Sequence, residues 1–205
     1  MTKAVLFDMD GVLIDATEWH YDALNEALEI FGFSIERDEH LARFNGMTTK
    51  KKLEILSSER ELPLGLHGVI SDIKQDRTLR IAAKKCFPTA AHLILLSTLK
   101  NNGVKIGVVT NSIRMTTEFM LKYAGISDFL DVLITNEDVT HPKPSPEGYL
   151  LGMKSLNSKP TETVVVEDGM HGIAAAKAAG ARVVEVANPS EVSLEIFEKI
   201  MGVNL

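Results

Sequence analysis

The chain has 205 residues, 45% hydrophobic and 24% charged, with a formal net charge of −6. That is the balance of a globular protein able to build one sizeable core and a small second lobe, and it carries no general attraction for nucleic acid. The only basic cluster is Lys50-Lys51-Lys52, no apolar run approaches a membrane span, and the lone Cys86 has no partner for a disulfide or a thiolate metal cage, so a cytoplasmic protein is expected.

The first element is a short apolar strand, Ala4 to Phe7, which runs into Asp8-Met9-Asp10-Gly11. Residues two apart in an extended chain share a side, so both carboxylates can face one small volume while Gly11 turns the backbone out of the sheet. An Asp-Gly turn dipping into water is the plain alternative. Against it stands the position of Asp8 inside the apolar run, where burying an unpaired charge costs several kcal/mol.

A helical pattern follows over Thr17 to Phe31, with Trp19, Ala23, Leu24, Ala27, Leu28 and Phe31 at helical spacing and Gly32 as the stop. Thr48 to Leu56 and Gly68 to Lys85 also read as helices. The next strand, Val104 to Val109, begins about 95 residues after the first one ends, far more than the dozen or so that a simple crossover needs. A helical lobe over residues 16–86 is therefore expected between residues 1–15 and 87–205, which together would form the sheet domain.

From there strand and helix alternate. Ala90 to Asn101 is a helix before the second strand, Met115 to Ala124 a helix after it, and Val132 to Thr135 the third strand. Pro146 to Ser155 is helical, Thr163 to Val166 a strand, Ile173 to Ala179 helical, Arg182 to Val186 a strand, and Glu191 to Met201 a last helix stopped by Gly202. Nearly continuous apolar strands suit a parallel sheet covered on both faces, hence an α/β fold. No heptad seam calls for association, and a monomer is expected.

Ligands of open parallel sheets bind outside the carboxyl ends of the strands. Those ends deliver Asp8 and Asp10, then Thr110-Asn111-Ser112, then His141-Pro142-Lys143-Pro144, then Glu167-Asp168-Gly169. Individually, Thr110, Asn111 and Ser112 could be helix caps, Lys143 a solvated loop residue, and Glu167-Asp168-Gly169 a turn. Jointly they suit a phosphate. Carboxylates supply hard oxygen ligands for Mg²⁺, and Lys143 and Thr110 can hold phosphate oxygens that would otherwise repel Asp8.

These four segments resemble the four motifs of the haloacid-dehalogenase-like superfamily of phosphatases and phosphomutases, in the family's order and over nearly the whole chain. The resemblance implies a Rossmann-like core with an inserted α-helical cap. It implies Asp8 as the nucleophile that forms an aspartyl-phosphate and Asp10 as general acid and base. It further implies Mg²⁺ held by Asp8, the backbone carbonyl of Asp10, and Asp168 with Glu167 assisting, and a phosphoryl group bound by Thr110, Asn111 and Lys143. Asp10 separates the chain from the dehalogenase branch.

By the same analogy the cap places Trp19, His20, Asn45, Gly46, Met47 and Thr48 near the site, with His20 and Asn45 favoured as substrate contacts. Gly169 stands where the family often has Ser. Asn45-Gly46-Met47-Thr48-Thr49 lacks the Lys before the Gly and the Arg after it that β-phosphoglucomutases carry, which favours hydrolysis of a small phosphorylated metabolite, a sugar phosphate or nucleotide, over a mutase reaction. Lys50 is the residue that could substitute. A catalytically silent binding protein is the third reading, opposed by the presence of Asp8, Asp10 and Lys143.

Overall fold

The computed structural model describes residues 2–201. Five parallel strands, β1 (Ala4–Phe7), β2 (Lys105–Val109), β3 (Val132–Ile134), β4 (Thr163–Glu167) and β5 (Arg182–Glu185), form one sheet in the order β3-β2-β1-β4-β5. The chain therefore leaves β1 for one side and later crosses it to add β4 and β5 on the other, so β1 ends at a topological switch point, the usual ligand crevice of such sheets. The register sets Phe7 beside Val108 and Val166, which aligns the ends of β1, β2 and β4.

The alternation of side chains along β1 sorts the core. Val5 and Phe7 join one cluster with Leu95, Leu96 and Leu99 of α5 (Ala90–Asn101) and Met120 and Leu121 of α6 (Arg114–Tyr123). Ala4 and Leu6 join a second cluster with Tyr149 and Met153 of α7 (Glu147–Ser155) and Ala175 and Ala176 of α8 (Met170–Ala178). All four strand residues are fully buried, which is why β1 reads as an unbroken apolar run.

The cap contains α1 (Thr17–Glu29), α2 (Arg37–Glu39), α3 (Thr49–Arg60) and α4 (His67–Lys85). It has a core of its own, in which Leu24, Leu28, Ile35, Phe44, Leu53, Leu56 and Ile70 are buried together. Helix α1 packs along α4, and Asn25 pins the following loop by bonding both the N–H and the C=O of Ile35 at 2.9 Å. No helix among the described residues is long and apolar enough to cross a membrane.

Boundaries differ from the sequence expectation where side chains take over the backbone. Helix α8 starts three residues earlier than expected, directly after Glu167-Asp168-Gly169. β4 includes Glu167. The stretch Glu191 to Met201 is not one helix: Asn188 and Ser193 each cap a short 3₁₀ turn, and α9 covers only Phe197–Met201. The expected stop at Gly202 lies outside the described residues. A turn of π-helix, His40–Phe44, was not anticipated from the sequence; it closes on an Asn45 N–H to His40 O bond of 2.8 Å and buries His40 and Phe44.

Candidate active site

β1 delivers Asp8 immediately past its last residue, and the Asp8 N–H still pairs with Val166 O at 3.0 Å, so the nucleophile candidate sits on the sheet frame itself. Gly11 then adopts φ +87°, where an L side chain is strained. A Cβ there would overlap the Asp168 carboxylate, so the glycine is what lets the loops after β1 and β4 close on each other.

Lys143, from the loop after β3, reaches back to the centre. Its Nζ donates to Asp8 Oδ1 at 2.5 Å and to Glu167 Oε1 at 2.7 Å, and the side chain is almost fully buried. Burial works against this ammonium, but the Asp8 and Glu167 carboxylates outweigh it and hold its pKa above the ordinary lysine value. Asp8 is driven well above the usual carboxylate range, chiefly by burial and with Glu167 and Asp10 adding repulsion that Lys143 only partly offsets.

Glu167 accepts four hydrogen bonds: Lys143 and the Tyr149 hydroxyl, each at 2.7 Å, on Oε1, and the N–H groups of Asp168 at 3.0 Å and Gly169 at 3.2 Å on Oε2. Each lone-pair direction of the carboxylate is thereby used. Asp168 is different, accepting no bond from another residue among the described residues; burial and then Glu167 push it up to about 6. Asp8, Glu167 and Asp168 offer oxygens within 4.8 Å of one another. Two raised carboxyl groups and an all-oxygen donor set fit a hard divalent cation that this cluster, with Lys143 alone, is short of.

Asp10 is held ionised. Burial would raise its pKa, but His20, whose Nε2 lies 3.2 Å from Oδ1, and the Ser112 hydroxyl, which donates to Oδ2 at 2.8 Å, bring it below the ordinary value. Behind His20, the Lys74 ammonium lies 3.1 Å from Nδ1, which fixes a neutral ring with its proton on Nε2 facing Asp10. Burial and Lys74 both keep that ring below the usual histidine pKa.

Thr110 follows β2 with its N–H on Ile134 O and its Oγ1 accepting from the Ser112 N–H at 3.0 Å. Asn111 spans the cleft: its Nδ2 donates to Gly46 O of the cap at 2.9 Å and to Lys143 O at 3.2 Å, and its Oδ1 accepts from the Lys143 N–H at 3.0 Å. Asn45 lines the same cavity, about 600 Å³, between cap and sheet. Asp8, Asp10, His20, Asn45, Thr110, Asn111, Lys143, Glu167 and Asp168 border this one space with Gly46, Met47 and Thr48, whereas Trp19, expected near the site, does not line it and packs into the core cluster of Val5 and Phe7.

Sequence reasoning missed Lys52, Lys74, His40 and Tyr149, and it left Ser112 without a role. One signal was available: in α4 the buried stripe Ile70, Lys74, Thr78, Ala82 repeats every four residues and contains a lysine.

The sequence matches the haloacid dehalogenase-like hydrolases over residues 5–186. The chain belongs to that family. This haloacid dehalogenase-like hydrolase is 30% identical to pyrophosphatase PpaX of Bacillus velezensis over 90% of its own length and 82% of the relative's. It is 32% identical to validoxylamine A 7'-phosphate phosphatase of Streptomyces hygroscopicus over 88% and 83%. Among solved structures, CbbY from Rhodobacter sphaeroides in complex with xylulose-(1,5)bisphosphate superposes with a TM-score of 0.82 at 26% identity, covering 90% of this chain and 86% of that one. The chain is an enzyme of the family's phosphatase kind.

Proposed function

We propose that the enzyme is a Mg²⁺-dependent phosphatase that hydrolyses a small phosphomonoester through an aspartyl-phosphate on Asp8. The observation that carries this is the junction of Asp8, Lys143 and Asp168 at the aligned ends of β1 and β4, beside an Asp10 that accepts from Ser112 and faces His20. The names of the relatives, a pyrophosphatase and a phosphatase of validoxylamine A 7'-phosphate, support a small phosphorylated substrate. A monomeric, cytoplasmic protein is part of the same reading, in keeping with the single buried Cys86.

Asp8 and Asp168, with the Asp10 backbone carbonyl and Glu167 in support, would hold Mg²⁺, which when bound offsets the repulsion between carboxylates and phosphate oxygens. Asp8 Oδ2, the oxygen not held by Lys143, attacks phosphorus, and the bond to the leaving oxygen breaks as Asp10 hands that oxygen the proton it has taken from the incoming phosphomonoester monoanion. Lys143 and Thr110 bind the non-bridging oxygens. Asp10, now ionised as in the structure, then removes a proton from water, whose oxygen attacks the phosphoryl group and releases inorganic phosphate from Asp8. Closure of the cap keeps bulk water from the acyl phosphate.

The test is a panel of phosphomonoesters incubated with the purified enzyme. Inorganic phosphate should appear with Mg²⁺, stop with EDTA and resume on adding Mg²⁺. An isomerised sugar phosphate without phosphate release would replace this reading by a mutase; silence across the panel would remove the catalytic reading altogether.

A further inference from the structure

The cap side of the cavity carries positive charge that no ion pair takes up among the described residues. Lys52, on α3 beside Leu53 and Leu56, is 6% exposed, and its ammonium has no hydrogen bond or ion pair among the described residues, yet it borders the cavity. Lys74 is 7% exposed; its one hydrogen-bond contact among the described residues is the His20 ring, and Asp10 is the charge that steadies it. His40, also on this wall, has both ring nitrogens buried and without partners. The cap contributes no carboxylate to the cavity lining; Asp8, Asp10, Glu167 and Asp168 all come from strand ends.

A buried ammonium that no carboxylate pairs with directly is costly, and such groups are retained where a ligand completes the pairing. Lys52 comes from the cap and borders the same cavity as Thr110, Asn111 and Lys143 of the phosphoryl-binding loops. We propose that Lys52 is a specificity-determining residue that binds an anionic group, a carboxylate or a second phosphate, on the leaving group of the substrate. This rests on the phosphatase reading above and narrows its substrate class from phosphomonoesters in general to those whose leaving group is itself negatively charged. Burial and the neighbouring Lys74 pull Lys52 down to about 7 against the weaker pull of Asp10, so the anion would also restore its full charge. His40, kept neutral at about 4 by burial and Lys52, can donate one further bond to the same oxygens.

The experiment uses matched pairs with Mg²⁺ present: a hexose monophosphate against the bisphosphate, and glycerol phosphate against phosphoglycerate, with p-nitrophenyl phosphate as a generic substrate. The wild-type enzyme should prefer the anionic member of at least one pair by about 10-fold or more in kcat/KM, the scale of a charge-assisted hydrogen bond. Which pair shows it separates phosphate from carboxylate. Lys52→Met should collapse that ratio through KM, and Lys52→Arg should keep most of it. Hydrolysis of p-nitrophenyl phosphate with no preference in either pair, or a ratio unchanged in Lys52→Met, overturns the assignment and leaves the phosphatase reading standing. No hydrolysis of any ester overturns both. Should Lys52→Met fail to fold, calorimetric titration of Asp8→Asn decides: binding of the anionic member about 10-fold tighter supports the assignment, equal affinities overturn it.

Discussion

Ser112 Oγ donates to Asp10 Oδ2 at 2.8 Å, tying the loop after β2 to the loop after β1 across the mouth of the sheet. This hydroxyl and His20 are the only side chains that hold the Asp10 carboxylate among the described residues, so Ser112 sets its direction and, after His20, helps to keep it ionised. Ser112→Ala is expected to lower kcat about 10-fold, the weight of one hydrogen bond to a charged group, with KM for the same ester nearly constant. Steady-state kinetics on the best substrate of the panel would read this. A variant with unchanged kcat would detach Ser112 from proton transfer.

Lys143 is an ammonium buried between two carboxylates. Lys143→Met leaves Asp8 and Glu167 facing each other without it, and breaking a buried pair by removing one partner costs about 3–5 kcal/mol. Activity should fall by more than about 100-fold, and the melting temperature should drop by several degrees. Because Mg²⁺ would supply the missing charge in the proposed site, its addition should raise the melting temperature more in the variant than in the wild type.

The sheet, the interrupted alternation and the carboxylates were legible in the sequence because each leaves a local mark: an apolar run of four residues, a long gap between strands, an acidic pair before Gly11. Positions fixed by long-range packing were not. Tyr149 reads as one more apolar residue of α7, and only the pairing of β1 with β4 brings Glu167 to its hydroxyl. Lys52 belongs to the basic run 50–52 and looks solvated; its burial follows from the way α3 lays Leu53 and Leu56 into the cap core. The last helix was overread because its apolar residues have helical spacing, while Ser193 diverts the backbone into a capped turn.

Gly172, two residues into α8, faces the Glu167 carboxylate so closely that any Cβ would overlap it. Gly172→Ala favours the helix by its propensity but must push Glu167 off its four donors or tilt α8 away from β4. A loss of activity of at least about 100-fold is expected together with reduced thermal stability. Normal activity in this variant would mean that Glu167 need not sit where the hydrogen bonds hold it.

Cys86 is buried, with its thiol on Met120 O at 3.3 Å, and burial pushes its pKa from the usual 9.0 up to about 11. At pH 8 the thiolate fraction is therefore small, and alkylation of the folded protein should be much slower than that of the denatured chain. Between pH 9 and 11 the unfolded state loses this proton before the folded state does, so the thiol's contribution to stability declines as pH rises through that window. Denaturant midpoints for wild type and Cys86→Ala across those values should converge or cross accordingly; parallel curves would place the thiol in a less apolar setting.

Asn111 uses both ends of its amide, binding Gly46 O in the cap and the backbone of Lys143 in the sheet domain. Two consequences follow from one side chain. The bond to Gly46 favours the closed cap, and the bonds to Lys143 fix the loop that carries the ammonium to Asp8. Asn111→Ala should thus lower kcat/KM about 10-fold or more, since a closed cap and a fixed Lys143 are both lost. Asn111→Asp keeps the acceptor for the Lys143 N–H but sets a carboxylate against Gly46 O, and it should open the cap more. Amide hydrogen exchange over residues 45–47 is the direct readout, expected to quicken in both variants and most in Asn111→Asp. If exchange there stays at the wild-type rate while phosphate inhibits more weakly, Asn111 acts on the phosphoryl group instead of on the cap.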